Sequence, residues 1–212
     1  MYEITTEEEA LAAIKQNGSL GEVPENLKTA EVCLEAFKHN PLALLSVPEN
    51  LKTHAFYLAA VRKDGNLLRW VPNDMKTLAL CLAAVKHSNY IGQFTALALV
   101  PESLKTPKLC LEAVKQDGWT MSWVPENLKT PKLCLAAVQS NGIALAYVPE
   151  GIKTPKLCLA AVQSDGIALA YVPESLKNLE LCLTAVKKRK DAMKYVPKAM
   201  RKEVRAALKN SK

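Results

Sequence analysis

The dipeptide Val-Pro recurs eight times along the 212-residue chain, at 23–24, 47–48, 71–72, 100–101, 124–125, 148–149, 172–173 and 196–197. The spacing is 24 residues in every interval but one, which is 29. Segments 125–148 and 149–172 differ at only three positions, Asn127/Gly151, Leu128/Ile152 and Asn141/Asp165. A fixed period of this length marks a tandem array of one supersecondary unit, not a mosaic of domains. A unit of 24 residues cannot bury an apolar face alone, so neighbours must stack into a continuous core.

The unit that starts at Val124 shows how the local signals fit together. Pro125 followed by Glu126 suits the start of a short helix or 3-10 turn over 124–129. Thr130 then reads as an N-cap and Pro131 as the first helical residue, where a missing N–H costs nothing. Thr106-Pro107 and Thr154-Pro155 repeat this pair; Thr29, Thr53 and Thr77 keep the cap without proline, and Asn178 replaces it. The helix runs through Leu133, Cys134, Ala137 and Val138, one apolar face, widened by Leu135. Gly142 after Asn141 reads as a C-terminal stop, as do Gly65, Gly118 and Gly166 in their units. A second short apolar helix, Ile143 to Tyr147, leads to the next Val-Pro.

These signals predict an all-α protein, an α-solenoid with one main helix of about three turns and short α or 3-10 pieces per unit. The expected organisation is a single solenoid domain over 1–212. A partial repeat occupies about 6–22, opened by a capping box at Thr6 and Glu9. Repeats fill 23–197, giving seven to eight units, and 198–212 forms a basic amphipathic C-terminal cap. Five extra residues enter near 86–94. A longer turn costs little loop entropy, and loops also carry function; His87, Tyr90 and Phe94 are therefore the candidate residues of an insertion site, with the tolerated turn preferred.

The run Leu-Glu-Ala-Val-Lys-Gln-Asp-Gly (111–118), a short apolar stretch and Val-Pro-Glu-Asn-Leu-Lys (124–129) together resemble a bacterial repeat family catalogued as domain of unknown function 4116. Gln-Asn-Gly at 16–18 and Ala-Val-Gln-Ser-Asn-Gly at 137–142 fit the same pattern. The resemblance covers about residues 6 to 200 and departs at the insertion and at Lys-Lys-Arg-Lys (187–190), which displaces the usual glycine. It implies a helical repeat protein and no particular activity. The 24-residue period is also similar, in architecture alone, to leucine-rich-repeat variants that alternate α and 3-10 helices.

Little in the chain points to catalysis. Cys33, Cys81, Cys110, Cys134, Cys158 and Cys182 each lie ten residues after their unit's valine, a place taken by Tyr57 in one unit. Stacked helices about 8–10 Å apart hold such residues beyond the ~7 Å Cα limit of a disulfide, and no Cys-x-x-Cys or Cys/His pair has metal-ligand spacing. Buried free thiols in a reducing compartment are expected, with no metal and no cofactor. His39, His54 and His87 have no triad partners at recognisable spacing. The glycines are isolated, so no phosphate loop is present. Near-identical units supply ladders of one side chain, whereas catalysis needs different groups converging once.

Two ladders run the length of the chain. Lys28, Lys52, Lys76, Lys105, Lys129, Lys153, Lys177 and Arg201 each follow their valine by five residues, and most have a glutamate three residues earlier; local pairing is the preferred account over a polyanion track. Trp70, Trp123, Tyr147, Tyr171 and Tyr195 each precede a valine, and inter-unit core packing is preferred over base stacking. The helix positions that vary between units are better candidates for a partner surface. One row is Glu31, Ala55, Ala79, Lys108, Lys132, Lys156 and Glu180. The other is Lys38, Arg62, Lys86, Lys115, Gln139, Gln163 and Lys187.

The net charge of +7 is concentrated: residues 173–212 carry 12 basic and 4 acidic side chains, the rest 16 and 17. The expected function is a non-catalytic, cytoplasmic scaffold that binds another protein, monomeric by default. The alternative is nucleic acid or another polyanion bound by the basic row and the C-terminal segment. The candidate contact residues are Lys38, Arg62, Lys86, Lys115, Lys187, Lys188, Arg189 and Lys190. No apolar run has the length of a membrane span, and no leader pattern is present.

Overall fold

A computed structural model describes residues 4–88 and 95–210 of the chain. Every described element is an α- or 3-10 helix. The chain divides into two compact units, Met1–Leu104 and Lys105–Lys212. In the first lie α1 (Glu7–Asn17), α2 (Ala30–His39), α3 (His54–Lys63) and α4 (Leu78–Lys86). In the second lie α5 (Pro107–Gln116), α6 (Pro131–Ser140), α7 (Pro155–Ser164), α8 (Leu179–Lys188) and α9 (Arg201–Asn210). Within each unit consecutive α-helices pack side by side. This is the all-α repeat solenoid that the period requires.

The start of each main helix is fixed by the predicted cap. The hydroxyls of Thr29, Thr53, Thr77, Thr106, Thr130 and Thr154 each accept the N–H three residues on, at 3.3 Å. Asn178 does the same for Leu181 at 2.8 Å. Thr6 and Glu9 form the reciprocal capping box on α1. Each such bond satisfies a donor that the helix itself leaves unpaired. The predicted face is the buried one: Leu133, Cys134, Ala137 and Val138 are buried in α6, and the corresponding four are buried in α2, α3, α4, α5, α7 and α8. Leu135 is half-buried at the edge of this face.

Behind the main helices runs a second layer of 3-10 helices. Gly118–Trp123, Gly142–Tyr147, Gly166–Tyr171 and Lys190–Tyr195 pack on one another in the second unit. Short 3-10 turns such as Glu126–Leu128 and Glu150–Ile152 follow each Val-Pro. Alternating α and 3-10 layers bury Leu145, Leu169 and Met121 against the main-helix faces.

The glycines act differently from the expected left-handed stops. Only Gly18 adopts positive φ among the described residues, at 65°, and its N–H bonds the Ile14 carbonyl at 2.7 Å. At the other junctions the preceding Asn or Asp caps the 3-10 helix: Asn141 accepts from Ile143 N–H at 3.1 Å and Asp165 from Ile167 N–H at 2.9 Å. The glycine itself is required by close approach. A Cβ on Gly142 would lie 2.3 Å from the Ala161 carbonyl oxygen, and one on Gly118 2.3 Å from that of Ala137. Where glycine is absent, that approach is absent too: the 3-10 helix opened by Pro41, Pro41–Ser46, makes only sparse contact with α3. Its Leu42 and Leu45 stand 57% and 83% exposed.

Candidate functional site

The invariant lysine row is internal structure. The side chains of Lys129 and Lys153 are each 7% exposed. Lys153 Nζ lies 2.6 Å from a Glu150 carboxylate oxygen and donates at 3.2 Å to the carbonyl of Tyr171, the last residue of the same repeat. Lys76, Lys105 and Lys177 donate in the same way to the carbonyls of Leu99, Trp123 and Tyr195, at 3.1, 2.9 and 3.4 Å. Lys28 and Lys129 pair with Glu25 and Glu126. Lys76, Lys105, Lys153 and Lys177 therefore tie the first turn of their repeat to the end of the 3-10 helix that closes it, and Lys28, Lys52, Lys129, Lys153 and Lys177 pair with the glutamate three residues before. Local pairing, the preferred account from the sequence, holds.

The six cysteines are free and buried. Loss of hydration pushes the thiols of Cys33, Cys81 and Cys134 up to about 11, and those of Cys158 and Cys182 upward as well. A thiol held protonated in this way is a poor nucleophile and a poor metal ligand.

The late-helix row is exposed as its variability predicts. Lys38, Arg62 and Lys86 stand on α2, α3 and α4 of the first unit; Lys115, Gln139, Gln163 and Lys187 stand on α5 to α8 of the second. Lys38 faces Glu35 at 3.6 Å. Lys187 and Lys188 end α8, where a cation complements the helix dipole; Arg189 links that helix to the 3-10 helix opened by Lys190. All four are exposed, and Arg189 pairs with Asp165 at 3.0 Å. His87 is exposed at the end of α4, where its N–H bonds Ala83 and its carbonyl accepts the Gly65 N–H at 2.9 Å. Tyr90 and Phe94 lie outside the described residues.

The aromatic row departs from the expected core. Trp123 is 45% exposed and Tyr171 39%. Trp119 packs edge-on against Tyr147 of the next repeat, ring centres 6.0 Å apart, and remains 37% exposed. That pair bridges two units at the rim of the 3-10 layer, whose inner positions are filled by Leu145, Leu169 and Met121.

Two grooves went unread in the sequence. One, of about 240 Å³, lies between α6 and α7, with Pro131 and Leu135 on one wall and Ile152, Lys156 and Leu157 on the other. The second, of about 250 Å³, lies between α7 and α8, with Pro155 and Leu159 facing Leu176, Glu180 and Leu181. They are the same site displaced by one 24-residue repeat. The half-buried leucine that widens each helix face was the available signal. Its partners come from a turn and a second helix some twenty residues away, which a pattern within one helix does not show.

A family model described as Domain of unknown function (DUF4116) matches residues 6–52, 29–76, 106–153 and 155–201. The chain belongs to the DUF4116 family. Each DUF4116 match spans two of the 24-residue units, and together the matches leave out 77–105, which holds the insertion. No curated protein and no solved structure matches the chain. No helix among the described residues of this DUF4116 protein is long and apolar enough to cross a membrane.

Proposed function

We propose that this DUF4116 chain is a non-catalytic scaffold that binds another protein along an extended surface, in the reducing environment of the cytoplasm. The observation that carries the reading is a division of labour among its side chains. The residues that recur at fixed places, Lys153 and Gly142 among them, are used up in contacts that hold the stack together. The positions that differ from repeat to repeat lie exposed on consecutive helices. Such a surface presents a series of contact points at helix spacing, which suits a macromolecule better than a small substrate. The buried free thiols support a reducing compartment.

The test is affinity capture with the full chain, with and without nuclease, beside a variant carrying Lys38→Glu, Arg62→Glu and Lys115→Glu. A protein retained through nuclease treatment by the native chain supports the scaffold. Absence of any specifically retained protein counts against it.

A second reading has its own observation: Lys187, Lys188, Arg189 and Lys190 are four consecutive exposed cations. Binding of labelled duplex DNA or single-stranded RNA at physiological salt, lost when these four are neutralised, would favour a polyanion partner.

A further inference from the structure

The two copied grooves of the second unit carry a charge pattern as well as a shape. Lys156 lines both of them, and Glu180 takes the equivalent place one repeat later. Lys108 and Lys132 hold that place in the two preceding repeats. All three lysines are exposed, and none is ion-paired with a described residue. They sit in the first turns of α5, α6 and α7, where the helix dipoles add to a positive field. The row thus runs from three unneutralised cations to one anion, directly beside two apolar slots.

The spacing of the slots restricts what can fill both. Packed helices lie about 8–10 Å apart. A polyproline-II segment turns once in three residues and rises about 3.1 Å per residue, so side chains i and i+3 face the same way about 9 Å apart. A flat β-strand fails this test, because its residues i and i+3 point to opposite faces.

We propose that these grooves take an extended polyproline-II segment of a partner protein, with apolar side chains at i and i+3 and a carboxylate between them that meets Lys156. This deepens the scaffold reading and rests on it. The apolar side chains enter the Leu135 and Leu159 slots. The intervening carboxylate faces Lys156, and acidic residues at the Lys132 end strengthen the fit. Glu180 excludes a carboxylate at the opposite end and favours a basic residue there.

The test is fluorescence polarisation of the full chain with labelled peptides built around Pro-Leu-Glu-Pro-Leu-Pro. A second peptide places lysine for glutamate, and a third places the leucines two residues apart. The expected result is saturable binding of the first, with both others weaker by about tenfold. Lys156→Glu, an exposed change that spares the fold, should reverse the preference between the glutamate and lysine peptides. Leu159→Ala, checked for helicity, should weaken all Leu-containing peptides by about fivefold or more. Equal binding of the peptide with altered leucine spacing, an unchanged charge preference in Lys156→Glu, or no saturable binding up to about 1 mM overturns the proposal. A partner protein captured equally by the native and Lys156→Glu/Leu159→Ala chains overturns the groove assignment and leaves the scaffold standing. Failure of the native chain to retain any protein counts against the scaffold instead.

Discussion

Two alanine substitutions nine residues apart, at Gly142 and Gly151, should move stability in opposite directions. Gly142 and Gly151 both have ordinary negative φ or extended backbone, so alanine is allowed at each by conformation. At Gly142 the new methyl would sit 2.3 Å from the Ala161 carbonyl oxygen and 2.7 Å from the Asp165 nitrogen. Both are main-chain atoms of the next repeat, so no rotamer change relieves the clash, and α7 must shift. Overpacking of this kind costs typically ~1–3 kcal/mol, and a main-chain obstacle places it at the upper end. The restricted unfolded chain returns about 0.4–1 kcal/mol. Gly142→Ala is therefore expected to destabilise by about 2 kcal/mol. At Gly151 a methyl meets nothing within 4 Å, so Gly151→Ala should keep the whole unfolded-state gain of about 0.4–1 kcal/mol. With a urea m-value of about 2 kcal/mol/M, the two midpoints should differ by more than ~1 M. Helicity at 222 nm across a urea series measures this, with the m-values compared because repeat arrays can lose cooperativity. A Gly142→Ala midpoint equal to or above that of the native chain would refute the close-approach argument.

Other perturbations test the remaining structural claims. Lys153→Met removes the 2.6 Å pair with Glu150 and strands the Tyr171 carbonyl; a loss of about 1–3 kcal/mol is expected, against ~0.5 kcal/mol or less for the exposed Lys156→Met, both read from denaturant midpoints. The buried thiols titrate higher when folded than when unfolded, so their contribution is intact below pH 9 and is lost as pH rises toward about 11. Thermal midpoints should accordingly fall across that range more in the native chain than in a variant with Cys134→Ala and Cys158→Ala. At neutral pH a thiol reagent should modify the folded protein slowly and all six cysteines at once on unfolding; six fast-reacting thiols in the native state would contradict their burial.

The fold was largely legible because the repeat supplies its own alignment. A threonine before a Leu-Cys-x-x-Ala-Val face gave the start and buried side of each helix, and the structure places both as read. The junctions were harder. Asn141-Gly142 has the letters of a left-handed helix stop, yet the Asn caps a 3-10 helix and the Gly makes room for α7; one dipeptide serves both geometries, and the deciding atoms belong to the next repeat. The lysine row was legible through its glutamates, while the carbonyl that Lys105, Lys153 and Lys177 also bind lies eighteen residues on. The exposure of Trp123 and the two grooves depend on the distance between neighbouring helices, which no single repeat encodes.

The contact between Gly142 and the Ala161 carbonyl also separates two properties that most proteins entangle. Where a glycine opens the 3-10 helix, the step from one repeat to the next is gauged by backbone against backbone. The exposed side chains at 156 and 180 take no part in that contact. Exchange of lysine for glutamate between positions 156 and 180 therefore changes what a groove attracts without changing its distance from the adjacent groove. Such a chain behaves as a ruler with rewritable marks. Duplication of 24 residues extends the ruler, and point substitution alters one mark at a time while the interval stays fixed.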